Sequence, residues 1–324
     1  MEMASRRGGS PSTLVHSALV YDGTQELVAT VAPFVAAGIA QDAAVFVAAR
    51  PEHVAAMQDS IGASASVASW ADTFDWHPHP ATRLRAFHEF VSGSVRDGAS
   101  SVRLVGEPLW PSGPAAFVRE WQRYESILNA ALAPFPVDFI CLYDAASLAP
   151  DLLAMAERTH PWVTSGGSLH RSGRFLPPED FLAGLNPPLA GPPAEAARVS
   201  RITDLAGARA FVHRRATSDG LPPEEVEGLV LAVNEVLTNA LVHGGAEPDL
   251  AMWMDDGRVV CQVDDLGVGI SDTLAGWRPP GDSDSGRGLW LARQLVDLLQ
   301  IVPASPGTSV RLTMRPSPDE RPAP

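Results

Sequence analysis

Lysine is absent from this chain: all 24 basic side chains are arginine, so an intact Gly-x-x-x-x-Gly-Lys phosphate loop is excluded. Cysteine is scarce. Cys141 and Cys261 each lie in an apolar run, which excludes a disulfide framework and suits buried, reduced thiols. Long hydrophobic runs are missing as well. The most apolar stretch, residues 27–40, has 14 residues and contains Pro33, too short to span a bilayer. No apolar signal core follows Arg6 and Arg7, so a cytoplasmic chain with no membrane partner is expected. An excess of basic charge is lacking too. The net charge of −14 divides about evenly between the two halves, which argues against direct nucleic-acid binding and suits basic protein partners.

What is present begins with length: 324 residues suggest two domains, each able to form its own core. The boundary is written in prolines. Residues 166–197 carry Pro177-Pro178, Pro187-Pro188 and Pro192-Pro193 among Gly166-Gly167, Gly173, Gly184 and Gly191, a semi-rigid linker pattern. Phe175, Leu176, Phe181 and Leu182 within it predict that part packs on a domain or forms a short helix. The expected division is a disordered tail 1–13, a first domain 14–165, the linker 166–197, a second domain 198–315 and a disordered tail 316–324.

Residues 14–165 alternate short apolar runs with helical patterns. Runs 15–20, 43–48, 102–105 and 139–142 read as buried strands, and 25–38, 51–61, 80–97 and 114–132 as helices between them. That alternation predicts an α/β domain with a mainly parallel sheet. Polar residues sit at its strand ends and on a helix: His16 and Tyr21, Gly106-Glu107, Trp110, Tyr124-Glu125, Asn129, Cys141-Leu142-Tyr143-Asp144 and His160-Pro161. This set resembles the sensory domain named for methanogens and methylotrophs, for which a small hydrocarbon derivative is the implied ligand. Glu107 and Tyr143 would lie beyond the carboxyl ends of strands, where open α/β sheets bind ligands. Glu107, Tyr143 and His160 could equally form a satisfied internal network. His77-Pro78-His79 has nothing nearby to complete a metal site.

The second half carries three ordered elements. On a helix, Glu235, Asn239 and His243 stand at i, i+4 and i+8, one face of the cylinder, with Leu229, Ala232, Val233, Val236, Leu237, Ala240 and Leu241 around the rest. An Asn carbonyl can ligate Mg2+, and a Glu one turn earlier can take a proton from an attacking hydroxyl. Then Asp265-Leu266-Gly267-Val268-Gly269 follows a strand pattern at 258–263. A carboxylate there can accept from the adenine amine, and the glycines let backbone approach a ligand. Finally Gly286-Arg287-Gly288-Leu289 predicts the start of a helix running to about residue 299, whose N–H groups can hold phosphate. Gly307-Thr308-Ser309-Val310 begins a closing strand.

In that order these motifs resemble the N, G1 and G2 boxes and terminal Gly-Thr of the Bergerat-fold ATPases, the superfamily of gyrase and histidine kinases. Residues 198–315 resemble in particular the anti-sigma-factor serine kinases: a helix at 205–217 precedes the turn 220–223, the lid 271–285 is short, and the second glycine helix opens Gly-Arg-Gly-Leu. The resemblance implies an α+β sandwich. It implies that Asn239 coordinates Mg2+, Glu235 is the general base and Asp265 reads the adenine of ATP. Gly267 and Gly269 would line the base pocket, Gly286, Arg287 and Gly288 would hold phosphates, and Thr308 would lie near adenine. For His243 a phosphate contact and a structural helix-end role both stay open. Relatives with this domain often dimerise, so a homodimer is an expectation of the same kind.

Two function classes compete. One is an ATP-dependent serine/threonine kinase that phosphorylates a small anti-sigma antagonist under control of the sensory domain. The other is an ATP-binding module that sequesters a sigma factor or other partner without phosphoryl transfer. The presence of both Glu235 and Asn239 favours the first. A histidine kinase is not expected, because His88-Glu89 lies inside the sensory domain and His213 in the first ATPase helix, neither on a phosphoacceptor hairpin.

Overall fold

The computed structural model describes residues 14–110, 114–165, 168–185, 187–244, 246–279, 286–304 and 306–315. The two expected tails, Gly166-Gly167 and the second part of the expected lid lie outside the described residues. The chain divides into two compact units, Met1–Leu182 and Ala183–Pro324.

The first unit is an α/β domain. Its elements run β1 (Val15–Tyr21), α1 (Thr24–Ala40), β2 (Ala44–Ala49), α2 (Pro51–Ile61), β3 (Ser69–Asp72) and α3 (Pro80–Arg96). They continue as β4 (Val102–Gly106), α4 (Ala115–Leu132), β5 (Val137–Asp144), α5 (Pro150–Thr159), β6 (Trp162–Ser165), β7 (Ser168–Arg171) and α6 (Pro178–Ala183). The strand order is β3-β2-β4-β5-β1-β6-β7, parallel throughout except for the antiparallel β6–β7 pair at one edge. The inner strands are apolar because helices cover both faces, so Leu19, Val47, Val105 and Leu142 are all buried. Helices α2, α3 and α5 each open with proline, whose fixed φ and missing N–H suit the first helical turn. Within the Pro-rich stretch, β7 extends the sheet, and α6 buries Phe181 and Leu182.

The second unit is a two-layer α+β sandwich. It comprises β8 (Ala197–Val199), α7 (Leu205–Ser218), α8 (Pro223–His243), β9 (Asp249–Asp255) and β10 (Arg258–Asp265), followed by α9 (Arg287–Leu295), β11 (Leu298–Pro303) and β12 (Thr308–Met314). The sheet is antiparallel in the order β11-β12-β10-β9-β8. Asp204 caps α7 by accepting from the Ala206 N–H at 2.9 Å. One stripe of α8 (Val226, Leu229, Val233, Val236, Leu237, Ala240) packs into a core with Met252, Cys261, Val263, Val310 and Leu312 from the sheet. Each of the valine, leucine and methionine side chains in this core contributes roughly 1.5–3 kcal/mol by leaving water.

One sequence expectation is corrected. The glycine-led helix stops at Leu295, not near residue 299, because Leu298–Pro303 forms β11 and pairs with β12, Leu299 opposite Leu312. Val296 is already extended at φ −127° and ψ 157°. The β-branched Ile301 and Val302 fit this pleated edge better than a helical turn.

Candidate functional site

Helix α8 sets the first wall. Its i, i+4 spacing turns Glu235, Asn239 and His243 away from the core stripe, leaving Glu235 and Asn239 half-buried and His243 exposed at the helix end. The end of β10 sets the second. Asp264 and Asp265 point to opposite faces, as neighbours on a strand must. Asp264 is tied down by the Ser309 hydroxyl at 2.5 Å and the Gln262 amide at 2.9 Å. Asp265 instead faces the site: its Oδ1 accepts from the Gly267 N–H at 2.8 Å, and its other oxygen has no partner among the described residues.

Thr308, opposite Asp265 in the β10–β12 register, is 1% exposed. Its Oγ1 accepts from the Ile270 N–H at 3.0 Å, which leaves the hydroxyl hydrogen free to donate. Asn239, His243, Asp265, Gly269 and Thr308 together line one pocket of about 480 Å³, including open space at its mouth. Its apolar walls come from Val236, Ala240, Val263, Leu289 and Val310. Five expected site residues, Glu235, Gly267, Gly286, Arg287 and Gly288, do not line this pocket.

The glycines explain where those residues stand. A Cβ on Gly288 would sit 2.8 Å from Glu235 Oε2, so the missing side chain admits that carboxylate to the first turn of α9. Gly286, at φ 86°, is the left-handed cap that starts this turn. Gly267 approaches the end of α8 so closely that a Cβ would fall 2.3 Å from the Gly244 carbonyl oxygen. A Cβ on Gly307 would fall 1.8 Å from the Asp265 carbonyl oxygen. Glycine therefore seals the seam between the β10 loop, α8 and β12. The pairing of Gly244 with Gly267 was not read from sequence, where each glycine looks like an ordinary turn residue.

The first part of the expected lid is anchored. Trp277 is 1% exposed, and the Arg293 guanidinium stacks over its ring at 4.3 Å. Arg293 also donates to the Gly276 carbonyl at 3.1 Å and the Leu299 carbonyl at 2.9 Å. An arginine on the buried side of an apolar helix was the one sequence signal of this clamp.

The polar residues of the first unit fall into two groups. Glu107 is an internal, satisfied group: Arg50 Nε lies 2.8 Å and His53 Nδ1 3.0 Å from its carboxylate, and Tyr21 donates at 3.4 Å. Its carbonyl accepts from Thr73 and Arg83. Tyr143 and His160 belong elsewhere, beside Glu125, His16 and Cys141, with the Tyr143 hydroxyl close to the Glu125 carboxylate. Burial, with the Glu125 charge, pushes the Tyr143 and Cys141 pKa values well above their ordinary range. Burial, with His160 nearby, holds His16 well below the usual imidazole range.

Residues 15–161 match the family model of the methanogen/methylotroph DcmR sensory domain, and residues 199–314 match that of the histidine kinase-like ATPase domain. No curated protein matches the chain. Among solved structures, the RsbU and RsbW domains of a Mycobacterium tuberculosis protein align at 23% identity over 38% of this chain, with a TM-score of 0.29. The chain spans about a third of that structure, 33% of its length. A mycobacterial sensor histidine kinase, MprB, aligns at 24% identity over 38% of this chain and 99% of its own, with a TM-score of 0.25. The chain thus carries a methanogen/methylotroph DcmR-type sensory domain followed by a histidine kinase-like ATPase domain.

Proposed function

We propose that the protein is an ATP-dependent serine/threonine kinase that phosphorylates a small anti-sigma antagonist, with the sensory domain setting its activity in response to a small molecule. The observation that carries this reading is the position of Glu235. Its carboxylate lies against Gly288 in the first turn of α9, one helical turn from Asn239. The pocket that Asn239 lines ends at Asp265 and Thr308.

In this reading the unpartnered oxygen of Asp265 accepts from the adenine amine. The Thr308 hydroxyl donates nearby, and the N–H groups around Gly286, Arg287 and Gly288 hold phosphate at the positive end of α9. Asn239 has no hydrogen-bond partner among the described residues, and its carbonyl is the oxygen donor that Mg2+ prefers. The cation would neutralise phosphate charge when bound. In the same reading His243, exposed where it lines the pocket, would contact phosphate, its alternative being a structural role at the helix end. Glu235 takes the proton from the substrate hydroxyl as that oxygen bonds to the γ-phosphorus and ADP leaves.

The sigma factor or antagonist partner, the homodimer and the cytoplasmic setting belong to the same reading, and the acidic chain suits basic partner surfaces. Among the described residues no helix is long and apolar enough to cross a membrane. The test is incubation with labelled ATP and candidate antagonists. Glu235→Ala should keep ATP affinity while transfer falls roughly 10²–10⁴-fold. ATP binding without transfer to any antagonist would favour the sequestering module instead.

A further inference from the structure

Four side chains that the nucleotide pocket does not use converge on one face of the first unit's sheet. His16 is on β1 and Cys141 on its neighbour β5, where Ala18 is paired with Cys141, so both project from the same face. Glu125 comes from α4, and His160 follows the last turn of α5. Their candidate ligand atoms all lie within 4.8 Å of one another, and each residue is at most 1% exposed.

The hydrogen bonds around them fix which ring nitrogens carry protons. Asn129 Nδ2 donates to the carbonyls of Ser126 and Thr159, at 3.0 and 2.7 Å, so its Oδ1 is the acceptor facing His16 Nδ1 at 3.1 Å. His16 Nδ1 therefore carries the hydrogen, and its bare Nε2 points at Cys141 Sγ, 3.3 Å away. His160 Nδ1 lies 2.9 Å from the Ala156 carbonyl and donates there, so that in the neutral ring Nε2 is the bare nitrogen, 3.3 Å from Glu125 Oε2. Among the described residues no hydrogen bond of good geometry reaches either Glu125 oxygen or His160 Nε2, although the Cys141 thiol and the Tyr143 hydroxyl both stand close to Glu125. Buried lone pairs facing one another at this range repel unless a metal cation or a shared proton lies among them.

We propose that His16, Glu125, Cys141 and His160 form a buried tetrahedral site for a divalent transition-metal ion of the Zn2+ class. Bond lengths of about 2.0–2.1 Å to nitrogen, 2.0–2.2 Å to oxygen and 2.3 Å to sulfur imply tetrahedral edges of about 3.3–3.6 Å. The His16–Cys141 and His160–Glu125 separations, both 3.3 Å, are edges of that size. Two imidazoles, a thiolate and a carboxylate suit a metal of borderline softness. The acceptors Asn129 Oδ1 and the Ala156 carbonyl are the outer partners that orient metal-bound histidines. With four protein ligands the site is closed, and it ties α4 and α5 to β1 and β5.

The rival arrangement places a proton between His160 and Glu125, with the Cys141 thiol donating to His16. Titrating the chelator-stripped full chain with Co2+ separates the two. The proposal expects saturation at about one equivalent, intense tetrahedral visible bands and a near-ultraviolet thiolate-to-cobalt band, with proton release as the thiol ionises. Zn2+ should displace the cobalt. Cys141→Ser should lose the thiolate band, whereas Cys261→Ser, altered in the other unit, should keep it. If Cys141→Ser does not fold, the parent chain still decides. A folded parent that takes up neither Co2+ nor Zn2+, or binds Co2+ without a thiolate band, overturns the site.

Discussion

Replacing Gly267 by alanine tests whether the glycines of the pocket serve close packing rather than flexibility. The added Cβ would stand 2.3, 2.4 and 2.6 Å from the oxygen, Cα and carbonyl carbon of Gly244, whereas ordinary contact begins near 3.4 Å. All three atoms are backbone, so no rotamer can relieve the overlap, and the seam must open by about 1 Å. Overpacking of this kind costs roughly 1–3 kcal/mol of stability. Opening the seam also moves Asp265, whose carboxylate is held by the Gly267 N–H, and a charged hydrogen bond lost to a ligand is worth about 1.5–3 kcal/mol. ATP affinity should therefore fall about 10–100-fold by calorimetry. Gly286→Ala is the contrast: among the described residues nothing lies within 4 Å of its Cβ, and the positive φ of 86° strains it by about 1–2 kcal/mol. If Gly267→Ala binds ATP within a factor of about two of the parent and melts unchanged, the packing argument is wrong.

Asp265→Asn should lower ATP affinity by on the order of 1.5–3 kcal/mol and narrow the preference over GTP; equal affinity of the parent for both nucleotides by calorimetry would remove the adenine assignment. Burial, then the Asp219 charge, pushes the Cys261 thiol above its ordinary value of 9.0, so above that pH the unfolded chain releases a proton that the folded chain keeps. Stability of the ATPase unit should then begin to fall near pH 9 and go on falling as the pH rises further in denaturant melts, and Cys261→Ala should flatten that slope. Residues 198–315 alone should fold and bind ATP, with circular dichroism and calorimetry as readouts, and a sensed molecule should alter activity only in the full chain. A folded fragment unable to bind ATP would mean that the first unit contributes to the nucleotide site.

Much of the fold was legible because its signals are local. Apolar runs between proline-led helices predicted β1, β2, β4 and β5 and the helices that separate them. Ser69–Asp72 and Trp162–Ser165 were not read as strands: they are four residues long, and long-range pairing with β2 and β1 makes them strands. The length of α9 was overestimated for a related reason. Leu295, Val296 and Leu299 repeat at helical spacing, but pairing with β12 claims the last of them for β11. Of the residues expected to bind nucleotide, Asn239, His243, Asp265, Gly269 and Thr308 line one pocket, while Glu235 stands instead against Gly288.

The sequence by itself determined the two-domain order, the parallel sheet of the first domain and the spacing of polar side chains on α8 and at the end of β10, while the α+β sandwich of the second came from its resemblance. Periodicity and chain order suffice for the former, since each depends on residues a few positions apart. Only the tertiary structure decided which polar groups are satisfied. Glu107 and Glu125 are both buried acids of the first unit, yet Arg50 and His53 close on Glu107 while Glu125 faces His160, His16 and Cys141. Likewise, of the adjacent Asp264 and Asp265, Ser309 and Gln262 hold the first and leave the second to the pocket. Hydrogen-bond partners are chosen in space, between residues tens of positions apart, and no local pattern encodes that choice.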